Sequence, residues 1–252
     1  MKLSIDLNAD LGEGAASEQE LLTLLTSANI ACGFHAGNPA SMSASIQAAR
    51  AADVAVGAHP SLEDRENFGR RELAVSPNDV FTLVVYQLGA FQAIATSLGV
   101  RPKHVKTHGA LYNMAARDES LADAVARAIV SVDPSLILFA PANSALARAG
   151  MSYNLTVARE VFADRNYLPD GALVPRTRAD ALLHDASAAA ERVLRMLREQ
   201  VVRAIDGSDI AIEAETVCVH GDTPEAVSFA RQLRTALAEA DITVRAPEAD
   251  GK

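Results

Sequence analysis

The residues of this chain best equipped for chemistry are carboxylates, imidazoles, one lysine and a few arginines. They recur at the ends of short alternating segments. Asp6, Asn8 and Asp10 alternate with Ile5, Leu7 and Ala9 and lead into Gly12, Glu13 and Gly14. His35 closes the series Asn29, Ala31, Gly33; His59 follows an aliphatic run; Lys106 and His108 share a face with His104. Glu160 shares a face with Thr156 and Ala158, and His220 follows Thr216 and Cys218, with Asp222 beyond. Two chemistries use such a set. One is metal-assisted hydrolysis, with Asp10 or Asp6, His35 and His59 holding a divalent ion that activates water. Its spacing is long-range and matches no compact signature such as HExxH. The other is phosphate chemistry, with Lys106 and arginines neutralising charge and Asp10 or Glu160 as base. No G-x-x-x-x-G-K-[ST] run is present, so any nucleotide binds without a P-loop. Each residue alone has a plainer reading: a wet edge strand for Asp6 to Asp10, a satisfied strand-end histidine, an internal ion pair for Lys106, a solvated loop for Arg65. Their repetition at equivalent points argues for one site.

Elements of two kinds must position these groups. Period-two alternation predicts strands at 3–8, 29–34, 54–58, 104–108, 136–139, 155–158 and 216–219. Helical patterns lie between them. Ser17 and Glu20 have capping-box spacing before Leu21 to Leu25, Pro39 opens a helix to 52, and Ser76-Pro77 opens one to 98. Further helices are expected at 118–132, 143–149, 186–203 and from Pro224 to 240, with 109–113 as a turn. Asp206-Gly207 reads as a hairpin turn with a short strand at 210–212, and 242–244 as a last strand. The loops 61–73 and 162–178 are long for such connections and are candidate lids, with Gly69 and Gly171 as hinges. Strand alternating with helix implies parallel strands with helices outside. About seven repeats fit one α/β domain over 1–252, a seven-stranded (β/α) barrel. A doubly wound sheet is the alternative, weakened by the missing glycine fingerprint. In a barrel the chemistry gathers at the C-terminal ends of the strands.

Composition sets outer limits. The 252 residues are 49% hydrophobic and 22% charged, enough for a large core. A net charge of −9 argues against nucleic acid or an anionic membrane as partner, while leaving room for a local basic pocket. Cys32 and Cys218 lack CxxC spacing and read as packing residues. A thiol nucleophile at Cys218 would sit deep below the rim. No signal peptide and no apolar run of about 20 residues is visible, so a cytoplasmic protein is expected.

Seven stretches carry a resemblance: 6–13 (DLNADLGE), 28–37 (ANIACGFHAG), 57–60 (GAHP), 64–71 (DRENFGRR), 105–113 (VKTHGALYN), 160–165 (EVFADR) and 218–224 (CVHGDTP). Together they resemble the LamB/YcsF family over nearly the whole chain. The resemblance implies a seven-stranded barrel related to polysaccharide deacetylases and glycoside hydrolases. It also implies ATP-coupled hydrolysis of 5-oxoproline to L-glutamate, as the A subunit of a 5-oxoprolinase with partner subunits B and C and with Mg accompanying the ATP. The expected catalytic residues are Asp10, His35, His59, Lys106, His108 and Glu160. Asp6, Asn8, Glu13, Asn29, Arg70, Tyr112, Arg176 and His220 are expected to bind substrate or ATP; a protein-bound metal would sit on Asp10, His35 and His59. The alternatives are a stand-alone metal-dependent deacetylase-like hydrolase and a non-catalytic substrate-binding subunit.

Overall fold

Aliphatic residues at alternate strand positions are turned outward and bury against helices. In the computed structural model, which describes residues 3–219 and 226–249, Ile5, Leu7, Ala9 and Leu11 of strand β1 (Ser4–Leu11) all lie in the main core. The chain continues as α1 (Glu18–Leu22), β2 (Ser27–Ala31), α2 (Pro39–Ala51), β3 (Ala55–His59), α3 (Pro77–Ser97), β4 (His104–Lys106), α4 (Gly109–Arg117) and α5 (Glu119–Val132). After these come β5 (Ile137–Pro141), α6 (Ala145–Ser152), β6 (Val157–Phe162), α7 (Ala186–Glu199), β7 (Val201–Arg203), β8 (Asp209–Ala211), β9 (Thr216–Cys218), α8 (Ala226–Glu239) and β10 (Thr243–Val244). Strands β1 to β6 and then β9 pair in parallel, and β9 returns to β1 with Leu7 opposite Val217. The result is a closed seven-stranded barrel wrapped by helices. β10 adds to the lower end of β1, and β7 with β8 forms a separate antiparallel hairpin.

Several expected boundaries move. The second strand stops at Ala31, so His35 stands in a loop and not on a strand. The sixth runs from Val157 to Phe162, later than 155–158. The helix from Ala186 ends at Glu199; Gln200 turns left-handed (φ 56°) and 201–203 is a strand. Residues 109–113 open helix α4 where a turn was expected. α3 is long and apolar enough to cross a membrane by length and composition alone. Its buried stripe of Val80, Val84, Leu88, Phe91 and Ala95 has the spacing of a core-facing helix, and the helix packs along α5.

The barrel interior is polar over much of its circumference. Such interiors are ordinarily filled by branched aliphatics. Here Ile137, Phe139 and Ala158 make a small apolar patch on one side. Asp6 occupies the bottom, accepting hydroxyl hydrogen bonds from Thr26 (2.6 Å), Ser27 (2.7 Å) and Thr216 (2.5 Å). Burial, only partly offset by those hydroxyls, raises its pKa from 3.8 to about 6. The folded chain therefore holds this proton more tightly than the unfolded chain, and the Asp6 contribution to stability falls as pH rises between those values. Relative to Asp6→Asn, the wild-type chain should gain about 2 kcal/mol between pH 7.5 and pH 4. Urea unfolding of both proteins at the two pH values measures this. Parallel pH dependences would show that Asp6 does not titrate in that range.

Candidate active site

Above Asp6 lies a layer of amides. Asn8 donates to Glu160 Oε1 (2.9 Å) and Thr216 Oγ1 (2.6 Å) and accepts from Asn29 Nδ2 (2.7 Å). Asn29 also donates to Asp10 Oδ1 (2.9 Å), and its carbonyl oxygen meets His104 Nε2 at 2.8 Å. His104 lies flat on Phe139, with ring centroids 4.2 Å apart, and fills the space where Gly57 has no side chain. Burial and the Lys106 charge push its pKa to about 3, so the ring is neutral.

Lys106 stands on this layer. Its ammonium reaches Glu160 Oε1 (2.9 Å), Asp10 Oδ1 (3.1 Å), Asn8 Oδ1 (3.2 Å) and Cys218 Sγ (3.1 Å). Burial works against its charge, yet Asp10, Cys218 and Glu160 hold its pKa well above 10.5. The same pairing works on Asp10. Burial opposes ionisation, but His59 and Lys106 keep its carboxyl well below 3.8. Glu160 takes its remaining hydrogen bond from Tyr112 Oη at 2.5 Å. The Cys218 thiol is pushed up by burial and stays protonated.

At the mouth, His59, His108 and His35 gather around Glu13. His59 Nδ1 lies 2.7 Å from the Lys106 carbonyl, and His108 Nε2 lies 2.9 Å from that of Phe68. His35 stacks on His108 with centroids 3.8 Å apart, and its Nε2 is 2.8 Å from Glu13 Oε1. Burial and then the neighbouring His59 push His35 down to about 2 and His108 well below 6.5, so both are neutral imidazoles.

Two devices fix this mouth. The amides of Gly12, Glu13, Gly14 and Ala15 all donate to the Glu18 carboxylate at 2.9–3.2 Å, a nest of backbone N–H groups filled by an internal anion. Ser17 makes no side-chain cap. The loop 61–73 is clamped: Arg65 donates to the carbonyls of Gly33 (2.5 Å) and Gly37 (2.6 Å). Gly69 O accepts from Ala110 N at 2.8 Å, and any Cβ at Gly109 would come within 2.5 Å of that oxygen. These contacts make the loop a wall of the mouth in this structure.

A cavity of about 770 Å³ opens above these groups, lined by Asp10, Glu13, His59, Lys106, His108 and Tyr112 below and by Arg70, Arg165 and Arg176 from the long loops. Eight of the fourteen expected site residues thus line one space: those six together with Arg70 and Arg176. Asn8, Asn29 and Glu160 lie beneath its floor, His35 is shut behind His108, and Asp6 lies at the opposite end of the barrel. His220 and Asp222 are outside the described residues. Glu160 has both oxygens bonded within the protein, Oε1 to Lys106 and Asn8 and Oε2 to Tyr112. Sequence reasoning missed Glu18 and Arg165. The signal for Glu18 was the Gly12–Gly14 pair, whose positive φ angles turn successive amides toward one acceptor.

The LamB/YcsF family profile matches residues 5–251. The chain belongs to the LamB/YcsF family. This LamB/YcsF chain is similar to a protein from Oceanobacillus iheyensis named as the A subunit of 5-oxoprolinase, with 47% identity over 98% of both chains. A lactam utilization protein from Thermus thermophilus superposes with a TM-score of 0.90 at 41% identity, covering 97% of this chain and all of that one. A polysaccharide deacetylase from Bacillus cereus superposes with a TM-score of 0.52 at 16% identity, covering 100% and 95% of the two chains, and shares the fold alone. The family, the barrel and its deacetylase-like architecture agree with the reading of the sequence.

Proposed function

We propose that this LamB/YcsF chain is the A subunit of an ATP-dependent 5-oxoprolinase, opening the lactam of 5-oxoproline to L-glutamate in the cytoplasm together with subunits B and C. The observation that carries this reading is one cavity holding an ionised carboxylate, Asp10, beside the neutral His108 imidazole and His59, under a rim of arginines. The naming of the 47% identical relative supports the substrate. A cavity of about 770 Å³ is of the size that takes a small ring with room for phosphates.

A five-membered lactam is a poor electrophile. Phosphoryl transfer from ATP, with its Mg²⁺, to the amide oxygen gives ADP and an activated ring carbon. One water then opens the ring and a second releases phosphate. Arg70, Arg165 and Arg176 meet the substrate carboxylate and the phosphates. Lys106 is matched by two carboxylates, so it holds Asp10 in place instead of neutralising a phosphate. Asp10 Oδ2 orients the attacking water and relays its proton to the ring nitrogen as the C–N bond breaks.

In the purified three-subunit complex, Asp10→Asn should lower 5-oxoproline-dependent ADP release by about 100-fold or more. Unchanged release in both Asp10→Asn and Arg176→Ala would make this chain a binding component of the complex and place the chemistry elsewhere. The Glu13–histidine cluster favours a second reading, a stand-alone metal-dependent hydrolase. Lactam turnover by this chain alone, without ATP, would establish it.

A further inference from the structure

His108 Nδ1 faces His59 Nε2 at 2.9 Å. The opposite nitrogen of each ring points at a backbone carbonyl, Lys106 O for His59 and Phe68 O for His108. Carbonyls only accept, so those outer nitrogens carry the hydrogens. The two facing nitrogens then have at most one hydrogen to share, and both turn toward the same space. Carboxylate oxygens crowd the same spot, with Glu13 Oε1 3.5 Å from His108 Nδ1 and Asp10 Oδ2 3.3 Å from His59 Nε2. Ligand atoms of Glu13, His35, His59 and His108 thus converge on one spot. A metal ion would meet all of them at once.

We infer that Glu13, His59 and His108, with His35 as fourth ligand, form a binding site for a divalent transition-metal ion of the zinc class. The ligand atoms of these four residues all lie within 4.8 Å of one another. Tetrahedral coordination with zinc–ligand bonds of about 2.0–2.1 Å sets neighbouring donors roughly 3.3 Å apart. The contacts here, 2.8 Å for Glu13–His35, 2.9 Å for His59–His108 and 3.5 Å for Glu13–His108, bracket that spacing. Three imidazoles and one carboxylate select zinc, cobalt or iron over magnesium or calcium. The carbonyls of Lys106 and Phe68 are the outer partners that fix ring orientation and tautomer in metal-binding histidines. Glu18, by gathering the amides of Gly12 to Ala15, sets the loop from which Glu13 reaches the ion.

This set differs from the one expected from sequence. His35 and His59 remain, Glu13 and His108 join them, and Asp10 flanks the site through His59. Glu13, His59 and His108 line the cavity, so an ion there would offer Lewis-acid chemistry to a carbonyl oxygen inside it. The inference does not depend on the lactam reading, because it concerns binding and not turnover.

The test uses the full chain, stripped with chelator and titrated with Co²⁺ or Zn²⁺. One equivalent should bind, and Co²⁺ should give the visible absorption bands of a four-coordinate nitrogen–oxygen site. Glu13→Gln, His59→Gln and His108→Gln should each weaken binding at least about 100-fold, no less than the loss of an outer partner costs. His184→Gln, remote in sequence from the cluster, should bind like the wild type. Circular dichroism identifies any variant that fails to fold, and Glu13→Gln removes no buried ring. Absence of the Co²⁺ bands with no bound equivalent at millimolar metal overturns the inference, as does binding that survives in folded His59→Gln or Glu13→Gln. So does a ¹⁵N spectrum showing a protonated His59–His108 pair at pH 8 that zinc leaves unchanged.

Discussion

Lys106→Ala is expected to destabilise the chain by about 3–5 kcal/mol, because it strands charge inside the barrel. Glu160 is 1% exposed, and its Oε1 lies 2.9 Å from the Lys106 ammonium. Asp10 leans on the same ammonium at 3.1 Å. Removing the cation leaves the buried Glu160 carboxyl beside Asp10 with no counter-charge between them. A second change at Glu160 separates the charge from the packing. Lys106→Met with Glu160→Gln removes both members of the buried pair and should recover a large part of the loss. Urea unfolding gives the numbers. A loss below about 1 kcal/mol in Lys106→Ala would mean that the ammonium is not the counter-ion of this layer.

Gly57→Ala should cost about 3 kcal/mol or more, a large effect for one methyl group. A Cβ at Gly57 would lie 2.2 Å from His104 Cδ2 and Nε2 and 2.5 Å from Cε1. The ring has nowhere to go, since it stacks on Phe139 and is tied to Asn29. Displacing it breaks the amide layer on which Asp10 and Lys106 rest, so ADP release by the complex should fall with stability. The double-mutant cycle with His104→Ala decides the cause. With the ring gone, Gly57→Ala should cost less than about 1 kcal/mol. Additive losses would show that the ring is not the obstacle.

How far the sequence carried this picture follows from where alternation could be seen. β1 and β4 show inward polar and outward aliphatic residues at period two, which puts Asp10 and Lys106 at one rim; His59 joins them from the end of the aliphatic run in β3. The same rule misplaced β2, since Ala31, Gly33 and His35 continue the period while the chain leaves the sheet. Gly33 turns to φ 99° and Arg65 holds the carbonyls of Gly33 and Gly37, contacts made 32 and 28 residues away. β6 was set too early because Leu155 and Val157 are aliphatic while Arg159 and Glu160 are charged. Those charges are met by Glu215 and by Lys106, which no local pattern shows. At Ser17 and Glu20 a sound capping motif lost to Glu18, whose carboxylate satisfies four amides at once. Depth was the least legible quantity. Alternation tells which face a residue takes, not how far down the barrel it sits, and so Asp6 and Glu160 were grouped with Asp10.

The pairing of β9 with β1 carries a consequence for biosynthesis. Asp6 and Asn8 leave the ribosome first, yet both bond Thr216, across 210 and 208 positions. At about 5–20 residues per second, translation keeps the two waiting for roughly 10–40 seconds. During that interval the nascent strand exposes an acid, an amide and an unpaired edge. Closing so wide a loop is slow, and an intermediate of this kind is the form that chaperones capture. The β9 partner of that edge is made late, so the β1 edge stays open through most of translation.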